Sequence, residues 1–387
     1  MARAYLHSLI LAAALTRAAA AQYQPIDALV QDGVRRGVYP AAALIIGNSR
    51  AILHTRGFGH FTWNERSAVP TPDSTLWDIA SLTKIVATTA AAALLIDHGR
   101  LQLDAPVQRY LPHFTGGDKE RVTVRMLLDH TSGLPPGLDP RQRRVPPDSV
   151  LVLVLQTPLR RPPGTLAQYS DLNAILLGRI IETVSGMSLD RFAADSVFGP
   201  LGMSETRFLP PSVLRRRIAP TGQWHGSPLS GEVNDRTAGW LGGVAGHAGV
   251  FATATDLARY AQWWLRRGVT SSGTRLVRTE TVDDFLTPRA VAAPRLLGWE
   301  SRTTQEYTPS PYGTLPSARA YGHTGYTGTM VWIDPDRDLF VIFLTNRVYG
   351  PRVAKPFTAL HEIRGRVADA AVRAAPGACR AEIRPPC

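Results

Sequence analysis

The chain has 387 residues, of which 44% are hydrophobic and 19% are charged. This composition can bury a substantial core in one large two-part domain or two ordinary domains, and it excludes disorder over most of the length. The formal net charge is +12, but no Lys/Arg run interleaved with aromatic residues occurs, which argues against nucleic-acid binding.

The N-terminus has the pattern of a secretory signal. Arg3 precedes a short apolar run over 6–15, and Ala19–Ala21 offers an A-x-A site with cleavage before Gln22. We therefore expect residues 1–21 to be a signal peptide and the mature protein to be secreted or periplasmic. The apolar run is far shorter than the about 20 residues that span a bilayer, so no stable membrane anchor is expected.

Apolar spacing predicts a helix over 26–36, and two strands follow within 41–59 around the turn residues 47–49. An alanine- and leucine-rich segment, 81–98, predicts a helix that ends at Gly99. The stretch 106–163 contains many prolines and suits an irregular, mainly helical region.

The second half begins with helical patterns and ends with strands. Helices are predicted over 173–184, 189–198 and 253–267, the last capped by Thr253 or Thr255, and a closing helix over 355–374. The apolar runs 327–333 and 339–345 flank a turn-rich segment and predict an antiparallel hairpin.

Strands thus occur early and late, with helices between them. This order predicts an α/β (α+β) fold in which an antiparallel sheet, built from both chain ends and flanked by helices, carries an inserted helical lobe. We expect the folded domain to span 22–374, the lobe roughly 105–250, and a tail 375–387. The active site would lie in the cleft between the two parts.

Cys379 and Cys387 are the only cysteines. In an oxidising compartment they could close a small loop in the tail. No nearby histidine completes a metal site, so no metal or other cofactor is expected. The oxidation state of this pair and the oligomeric state of the protein stay open.

The strongest chemical signal is Ser81-Leu82-Thr83-Lys84 at the start of a predicted helix. One helical turn places Ser81 and Lys84 on the same face. A serine hydroxyl needs a base, and a lysine whose pKa is lowered can be that base. Only three lysines occur in this arginine-rich chain, which makes the lysine at 84 notable. By itself the tetrapeptide also fits a capped surface helix.

Two further segments can supply the remaining groups. Tyr169 could share the acid and base roles, or it could simply pack where a helix begins, with Ser170 or Asp171 as the N-cap. His323-Thr324-Gly325 precedes a predicted strand whose edge could hold an extended substrate. The backbone N–H groups of Ser81 and Tyr326 are candidate oxyanion donors.

The order of these three segments resembles the serine β-lactamase and penicillin-binding protein superfamily. The class C-like branch includes D-alanyl-D-alanine carboxypeptidases, D-aminopeptidases and β-lactamase-like esterases. Its flanking segments are similar to 127–135 (LLDHTSGLP), 200–203 (PLGM) and 246–251 (GHAGVF) of this chain. The resemblance covers roughly 26–372 and implies Ser81 as nucleophile with Lys84 and Tyr169 as catalytic partners.

Two residues depart from the pattern of the family. Asp171 stands where many members carry asparagine, and its charge would hold Lys84 protonated if the two are close. His323 stands where lysine would help to bind a substrate carboxylate, and histidine is only partly charged near neutral pH. Both departures argue against efficient β-lactam hydrolysis. The resemblance places His130 and His247 in structural loops near the cleft.

The sequence therefore predicts a serine hydrolase that forms an acyl-enzyme on Ser81. The enzyme is expected to act on an amide or ester, and the favoured substrate is a cell-wall-derived peptide such as a peptidoglycan fragment. A promiscuous esterase and a β-lactamase are the alternative enzymes, and a non-catalytic cell-wall peptide-binding protein is the alternative of another class. No G-x-S-x-G or H-E-x-x-H motif supports a different hydrolase.

Overall fold

The computed structural model describes residues 21–138, 147–224, 226–288, 295–302 and 308–375. Nearly all of the predicted signal peptide, and both Cys379 and Cys387, lie outside these ranges. The signal peptide and the tail loop therefore stay predictions.

The structure contains ten α-helices and eleven strands among the described residues. The helices are α1 (21–35), α2 (Ala90–Asp97, preceded by a π-helical stretch Lys84–Thr89), α3 (Val124–Leu128), α4 (Pro147–Gln156), α5 (Asp171–Ser185), α6 (Leu189–Ala193, continued by π-helical Ala194–Phe198), α7 (Arg236–Trp240), α8 (Ala254–Leu265), α9 (Thr279–Leu286) and α10 (Pro356–Ala374). The strands are β1 (Ala41–Gly47), β2 (Ile52–Gly59), β3 (Trp77–Asp78), β4 (Arg207–Phe208), β5 (Gly222–Trp224), β6 (Ser227–Leu229), β7 (Val250–Ala252), β8 (Glu300–Ser301), β9 (Tyr321–Thr324), β10 (Met330–Asp334) and β11 (Leu339–Thr345).

Both ends of the chain build the main sheet. Its six strands lie in the order β2-β1-β11-β10-β9-β8, and every pair is antiparallel. Strand β1 pairs with β11 in a register that places Leu44 opposite Phe343. The predicted fold class is therefore confirmed: an antiparallel sheet from both chain ends, with helices in between and around it.

Helices cover both faces of the sheet, which explains why its central strands are apolar throughout rather than alternating. Along β1, Leu44 packs in one buried cluster with Val30 of α1 and Val367 of α10. Its neighbour Ile45 points to the opposite face, into the cluster that contains Leu257 of α8. Successive side chains of a strand point to opposite faces, so the two helical layers divide them.

The segment between β2 and β8 is mainly helical and includes two small sheets. One has the order β3-β7-β4, and the other pairs β5 with β6. Strand β3 leads directly towards Ser81, and α5 begins directly after Tyr169 and Ser170. The bounds proposed for the helical lobe, 105–250, stay a prediction.

Two local predictions need correction. The late hairpin begins at Met330 rather than at 327, because Gly325 N–H donates to the carbonyl of Thr329 and closes a turn between β9 and β10. The expected continuous helix over 81–98 contains a π-helical stretch from Lys84 to Thr89. Such stretches are rare and occur frequently at functional sites.

Within the described residues, no single helix is both long and apolar enough to cross a bilayer. Helix α5 and the segment Leu189–Phe198 satisfy the length and composition only when they are joined across a 78° bend. The apolar residues of α5 belong to the main hydrophobic core.

Candidate active site

Ser81 lies on a tight turn between β3 and the helical segment. The preceding residue, Ala80, has a positive φ of 47°, which a non-glycine residue adopts only at an energetic cost. The carboxylate of Asp78 accepts the Ala80 N–H at 2.9 Å and stabilises this conformation. Lys84 N–H then donates to the Ser81 carbonyl at 3.0 Å, so the turn leads into the helix.

The side chain of Lys84 reaches three groups at the centre of the site. Its Nζ lies 3.0 Å from Ser81 Oγ, 2.7 Å from Asp171 Oδ1 and 3.2 Å from the carbonyl oxygen of His247. Only 3% of Lys84 is exposed. The spacing of one helical turn thus brings Ser81 and Lys84 together as the sequence predicted.

The charge of Lys84 is set by two opposing effects. Burial lowers the pKa of its ammonium, but the neighbouring Asp171 and Tyr169 raise it, and the net result is a pKa above the ordinary lysine value. Lys84 is therefore a cation at neutral pH. The sequence-based expectation that Asp171 holds Lys84 protonated agrees with this geometry.

Burial raises the pKa of the Tyr169 phenol above its ordinary value, and the neighbouring Lys84 ammonium and Ser81 hydroxyl oppose this effect. The Tyr169 backbone is fixed by the next residue, Ser170, whose N–H donates to Nδ1 of His130 at 3.2 Å and whose hydroxyl caps α5 through the Leu172 N–H. Of the two capping candidates, Ser170 is thus the N-cap. The ring of His130 also contacts the Tyr169 ring at 4.8 Å between centroids.

His130 is a scaffold residue whose role the sequence did not specify. Because its Nδ1 accepts the Ser170 N–H, that nitrogen carries no proton, and Asn173 Nδ2 also lies 3.0 Å away. Burial lowers the pKa of His130 well below its usual value, so the ring stays neutral. A neutral acceptor at this point holds the start of α5 in place.

The loop of His247 closes the site from the other side. Gly246 contacts α5 so closely that a Cβ would lie 1.9 Å from the carbonyl oxygen of Ala174, so only glycine fits. His247 Nε2 lies 2.9 Å from Asp235 Oδ1. Burial raises the pKa of Asp235, but His247, the Ala238 N–H and Lys84 lower it by more, so the net pKa is below the ordinary value and this carboxylate is ionised.

Asp171, Asp235 and His247 place one potential ligand atom each within 4.8 Å of one another. Asp171 Oδ1 already contacts the Lys84 ammonium at 2.7 Å, and Asp235 Oδ1 accepts the Ala238 N–H at 2.8 Å. These protein partners account for the geometry, and we assign no metal site there.

The segment after β9 faces Ser81 through its backbone. The Thr327 hydroxyl donates to the Asp78 carbonyl at 2.7 Å, and the Thr329 hydroxyl donates to the Ile79 carbonyl at 3.0 Å. Among the described residues, neither the Ser81 N–H nor the Tyr326 N–H donates to a protein acceptor. Both N–H groups can therefore donate to a ligand, and their role as oxyanion donors stays a prediction.

Gly325 permits the close approach of this segment to the nucleophile turn. A Cβ at that position would lie 2.6 Å from the Ile79 carbonyl oxygen and 2.1 Å from Thr329 Oγ1. Thr324 ends β9 and is buried, whereas the side chain of Tyr326 is 61% exposed at the mouth of the site.

His323 differs from the sequence-based expectation of a partly charged group. Its ring is 1% exposed, and burial lowers its pKa to about 4, so it is neutral at neutral pH. It packs 5.8 Å from the Tyr169 ring and lies 3.9 Å from Glu300. A neutral, buried side chain cannot act as the exposed cation that a lysine would provide.

Sequence reasoning missed a second charged pair behind Tyr169. The Arg295 guanidinium lies 4.9 Å from the centre of the Tyr169 ring and 3.3 Å from the Glu300 carboxylate. Both charged side chains are 1% exposed. No motif marked them, because they are far from Tyr169 in sequence and meet it only through the packing of β8.

An open cleft of about 590 Å³ lies in front of Ser81. Ligand sites commonly have about 300–1,000 Å³. Its lining combines Ser81 with other polar and charged side chains, namely Asn234, Asp235, Arg236, Tyr326 and Arg347.

Comparison with known proteins agrees with this geometry. The model of the beta-lactamase family matches residues 26–364. An Escherichia coli (strain K12) protein named "Putative D-alanyl-D-alanine carboxypeptidase" is 33% identical over 352 residues, which cover 82% of this chain and 80% of that protein.

Solved structures share the fold. A penicillin-binding protein homologue from Caulobacter crescentus superposes with a TM-score of 0.72 at 21% identity, covering 91% of this chain and 97% of that chain. EstCE1, described as a hydrolase with promiscuous acyltransferase activity, has a TM-score of 0.71 at 20% identity, with 92% and 99% covered. The chain therefore belongs to the beta-lactamase family and is a serine hydrolase of the β-lactamase and penicillin-binding protein fold.

Proposed function

We propose that this enzyme forms an acyl-enzyme on Ser81 and hydrolyses an amide bond in a cell-wall-derived peptide. The observation that carries the acyl-enzyme is the convergence of Lys84 and Tyr169 on the Ser81 hydroxyl. That hydroxyl lies at the base of an open cleft, where a carbonyl carbon can approach it.

The hydrogen-bond directions favour Tyr169 as the immediate base. Lys84 is protonated and donates to Ser81 Oγ, so it cannot also accept the serine proton. The serine O–H is left to donate to Tyr169, whose phenolate form accepts the proton as Oγ attacks. Burial raises the pKa of Tyr169 and Lys84 opposes this effect, so we expect acylation to become faster as the pH rises.

The remaining steps follow from the same geometry. The oxyanion of the tetrahedral intermediate accepts hydrogen bonds from the Ser81 and Tyr326 N–H groups. Tyr169 then returns its proton to the leaving nitrogen as the C–N bond breaks. Water then attacks the carbonyl carbon of the Ser81 ester while Tyr169 takes a proton from the water. The bond to Oγ breaks, and Tyr169 returns the proton to Oγ.

Three observations support a peptide substrate. The similarity to the named carboxypeptidase extends over most of both chains. The open cleft has room for a peptide. Arg236 and Arg347 line it and can pair with a substrate carboxylate. Hydrolysis of peptidoglycan-derived peptides also fits the signal pattern of residues 1–21, from which we propose a secreted or periplasmic location.

The acyl-enzyme is tested by intact-mass spectrometry after incubation with a fluorophosphonate or a penicillin. We expect an adduct on Ser81 that is absent from Ser81→Ala. Modification of a different serine, or no adduct with any acylating probe, would contradict the proposal and favour a non-catalytic binding protein.

The substrate class is tested with a panel under one set of conditions: D-Ala-D-Ala peptides, muropeptides, p-nitrophenyl esters and nitrocefin. We expect the highest kcat/KM on a peptide amide. Faster turnover of the esters would favour the esterase, and faster turnover of nitrocefin would favour a β-lactamase.

A further inference from the structure

We propose that Arg295 is a positioning residue for the proton transfer, supplying a second positive charge beside Tyr169 that the buried, neutral His323 does not supply. The inference rests on the proposed role of Tyr169 as the base. It assigns a function to Arg295, which belongs to none of the three segments that the sequence singled out around Ser81, Tyr169 and His323.

Two cations flank the Tyr169 ring at the same distance. Lys84 Nζ and the central carbon of the Arg295 guanidinium each lie 4.9 Å from the ring centre. Both distances are within the range of a cation–π contact, which is about 6 Å. When the phenol loses its proton, the ring carries a full negative charge and its attraction to both cations increases.

Burial makes this attraction effective. The Arg295 side chain is 1% exposed, so water does not screen its charge from the ring. The desolvation of Tyr169 disfavours its phenolate, and the Lys84 cation opposes that effect. A second buried cation at the same distance from the ring acts in the same direction as Lys84.

The other groups around Tyr169 do not supply this charge. His130 and His323 contact the ring, but burial lowers the pKa of each below its usual range, so both are neutral. Asp171 is an acid in the first turn of α5, and it disfavours the phenolate. Lys84 and Arg295 are therefore the two cations that the described residues place against Tyr169.

Glu300 moderates the effect of Arg295. It lies 3.3 Å from the guanidinium and also accepts a hydrogen bond from Tyr312. The Glu300 charge partly cancels that of Arg295 at the ring, which keeps the buried pair neutral overall. Removing either member should therefore change the ease of forming the phenolate in opposite directions.

The experiment measures acylation of Arg295→Gln, Glu300→Gln and the double variant by p-nitrophenyl acetate as a function of pH. The p-nitrophenolate leaves without a proton, so the acid-side limb reports the base alone. We expect the limb of Arg295→Gln to move about one to two pH units upward, and that of Glu300→Gln to move downward. Below the limb, each unit changes the rate about tenfold.

The double variant and a charge-conserving variant complete the test. The double variant should return towards the wild-type limb, because both charges are lost together, and Arg295→Lys should stay closer to wild type than Arg295→Gln. Arg337→Gln is the matched control. It breaks an arginine–carboxylate contact of similar length, 3.2 Å to Asp334. Asp334 lies at the end of β10 that is distant from Met330, the residue that pairs with Thr324. We expect Arg337→Gln to leave the limb unchanged.

A purely structural role predicts a different pattern. Arg295→Gln and Glu300→Gln would then lower the rate alike without moving the limb, and Arg295→Lys would be as slow as Arg295→Gln. An unmoved limb, or an Arg295→Lys variant as slow as Arg295→Gln, overturns the inference. If one single variant folds poorly, the remaining variants still decide the test. Loss of acylation at Ser81 in the wild-type enzyme would instead overturn the proposed function itself.

Discussion

Lys84 Nζ and Asp171 Oδ1 form a 2.7 Å ion pair at the centre of the active site. The pair joins the start of the π-helical stretch Lys84–Thr89, directly after the Ser81 turn, to the first turn of α5. Asp171 raises the pKa of Lys84 and keeps it protonated. In the proposed mechanism, a protonated Lys84 leaves Tyr169 to receive the proton of Ser81.

Replacing Asp171 by asparagine should make both candidate bases easier to deprotonate. Asp171 raises the pKa of Lys84 and of Tyr169, so its removal lowers both values. We expect the acid-side limb of kcat/KM for p-nitrophenyl acetate to move at least about one pH unit towards lower pH in Asp171→Asn. Asp190→Asn, which removes a first-turn acid from α6, is the control and should leave the profile unchanged. An identical profile for Asp171→Asn would show that Asp171 is not coupled to the base.

The backbone N–H of Tyr326 should matter more than its side chain. Tyr326→Pro removes the N–H, and loss of one oxyanion donor lowers kcat by about 10²–10³-fold. Tyr326→Ala keeps the N–H and removes a side chain that is 61% exposed, so we expect a change of only a few-fold. Steady-state kinetics on one ester, with circular dichroism to verify folding, distinguish the two variants. Equal losses would assign the effect to the side chain.

A methyl group at position 325 should separate the oxyanion segment from the nucleophile turn. In Gly325→Ala the Cβ would lie 2.6 Å from the carbonyl oxygen of Ile79, a backbone atom that cannot move alone. We expect kcat/KM to fall about 10²-fold, as for displacements of about 1 Å in other active sites. Gly137→Ala is the matched control, because its Cβ meets nothing within 4 Å. Wild-type kinetics in Gly325→Ala would mean that the segment is not held against Ile79.

Asp78 should contribute a measurable dependence of stability on pH. Burial raises the pKa of this carboxyl to about 6 from an ordinary 3.8, although the Asn234 and Ala80 N–H groups lower it. A folded pKa above the unfolded value means that the folded state binds the proton more tightly. The free energy of unfolding that Asp78 contributes therefore falls by about 3 kcal/mol as the pH rises from about 4 to 6.

The variant Asp78→Asn tests this contribution. The free energy of unfolding of the wild type minus that of Asp78→Asn, measured with urea, should decrease across this pH range. Taking the difference removes the contribution of the buried histidines, whose depressed pKa values act in the opposite direction. Asp73→Asn, at an exposed acid, should show no trend. A constant difference for Asp78→Asn would contradict the expected titration.

The sequence alone determined the local features of this protein. Residues one helical turn apart share a face, so the side chains of Ser81 and Lys84 were expected to be in contact, and they are. The hairpin around 47–49, the Thr253 cap of α8 and the apolar runs of β1 and β11 also follow from local chemistry, because short-range sterics and hydrogen bonds decide them. The order of motifs along the chain added the family and its fold.

The tertiary structure decided the electrostatics. The sequence identifies His323 as the first residue of a motif. Its burial near Glu300, which no local pattern encodes, leaves it neutral. Arg295 lies 4.9 Å from the centre of the Tyr169 ring although the two residues are far apart in sequence, so only the folded chain brings them together. The pKa of a group depends on burial and on charges from distant segments, so the sequence could name Ser81, Lys84 and Tyr169 as candidates but could not give the protonation states of Lys84 and Tyr169.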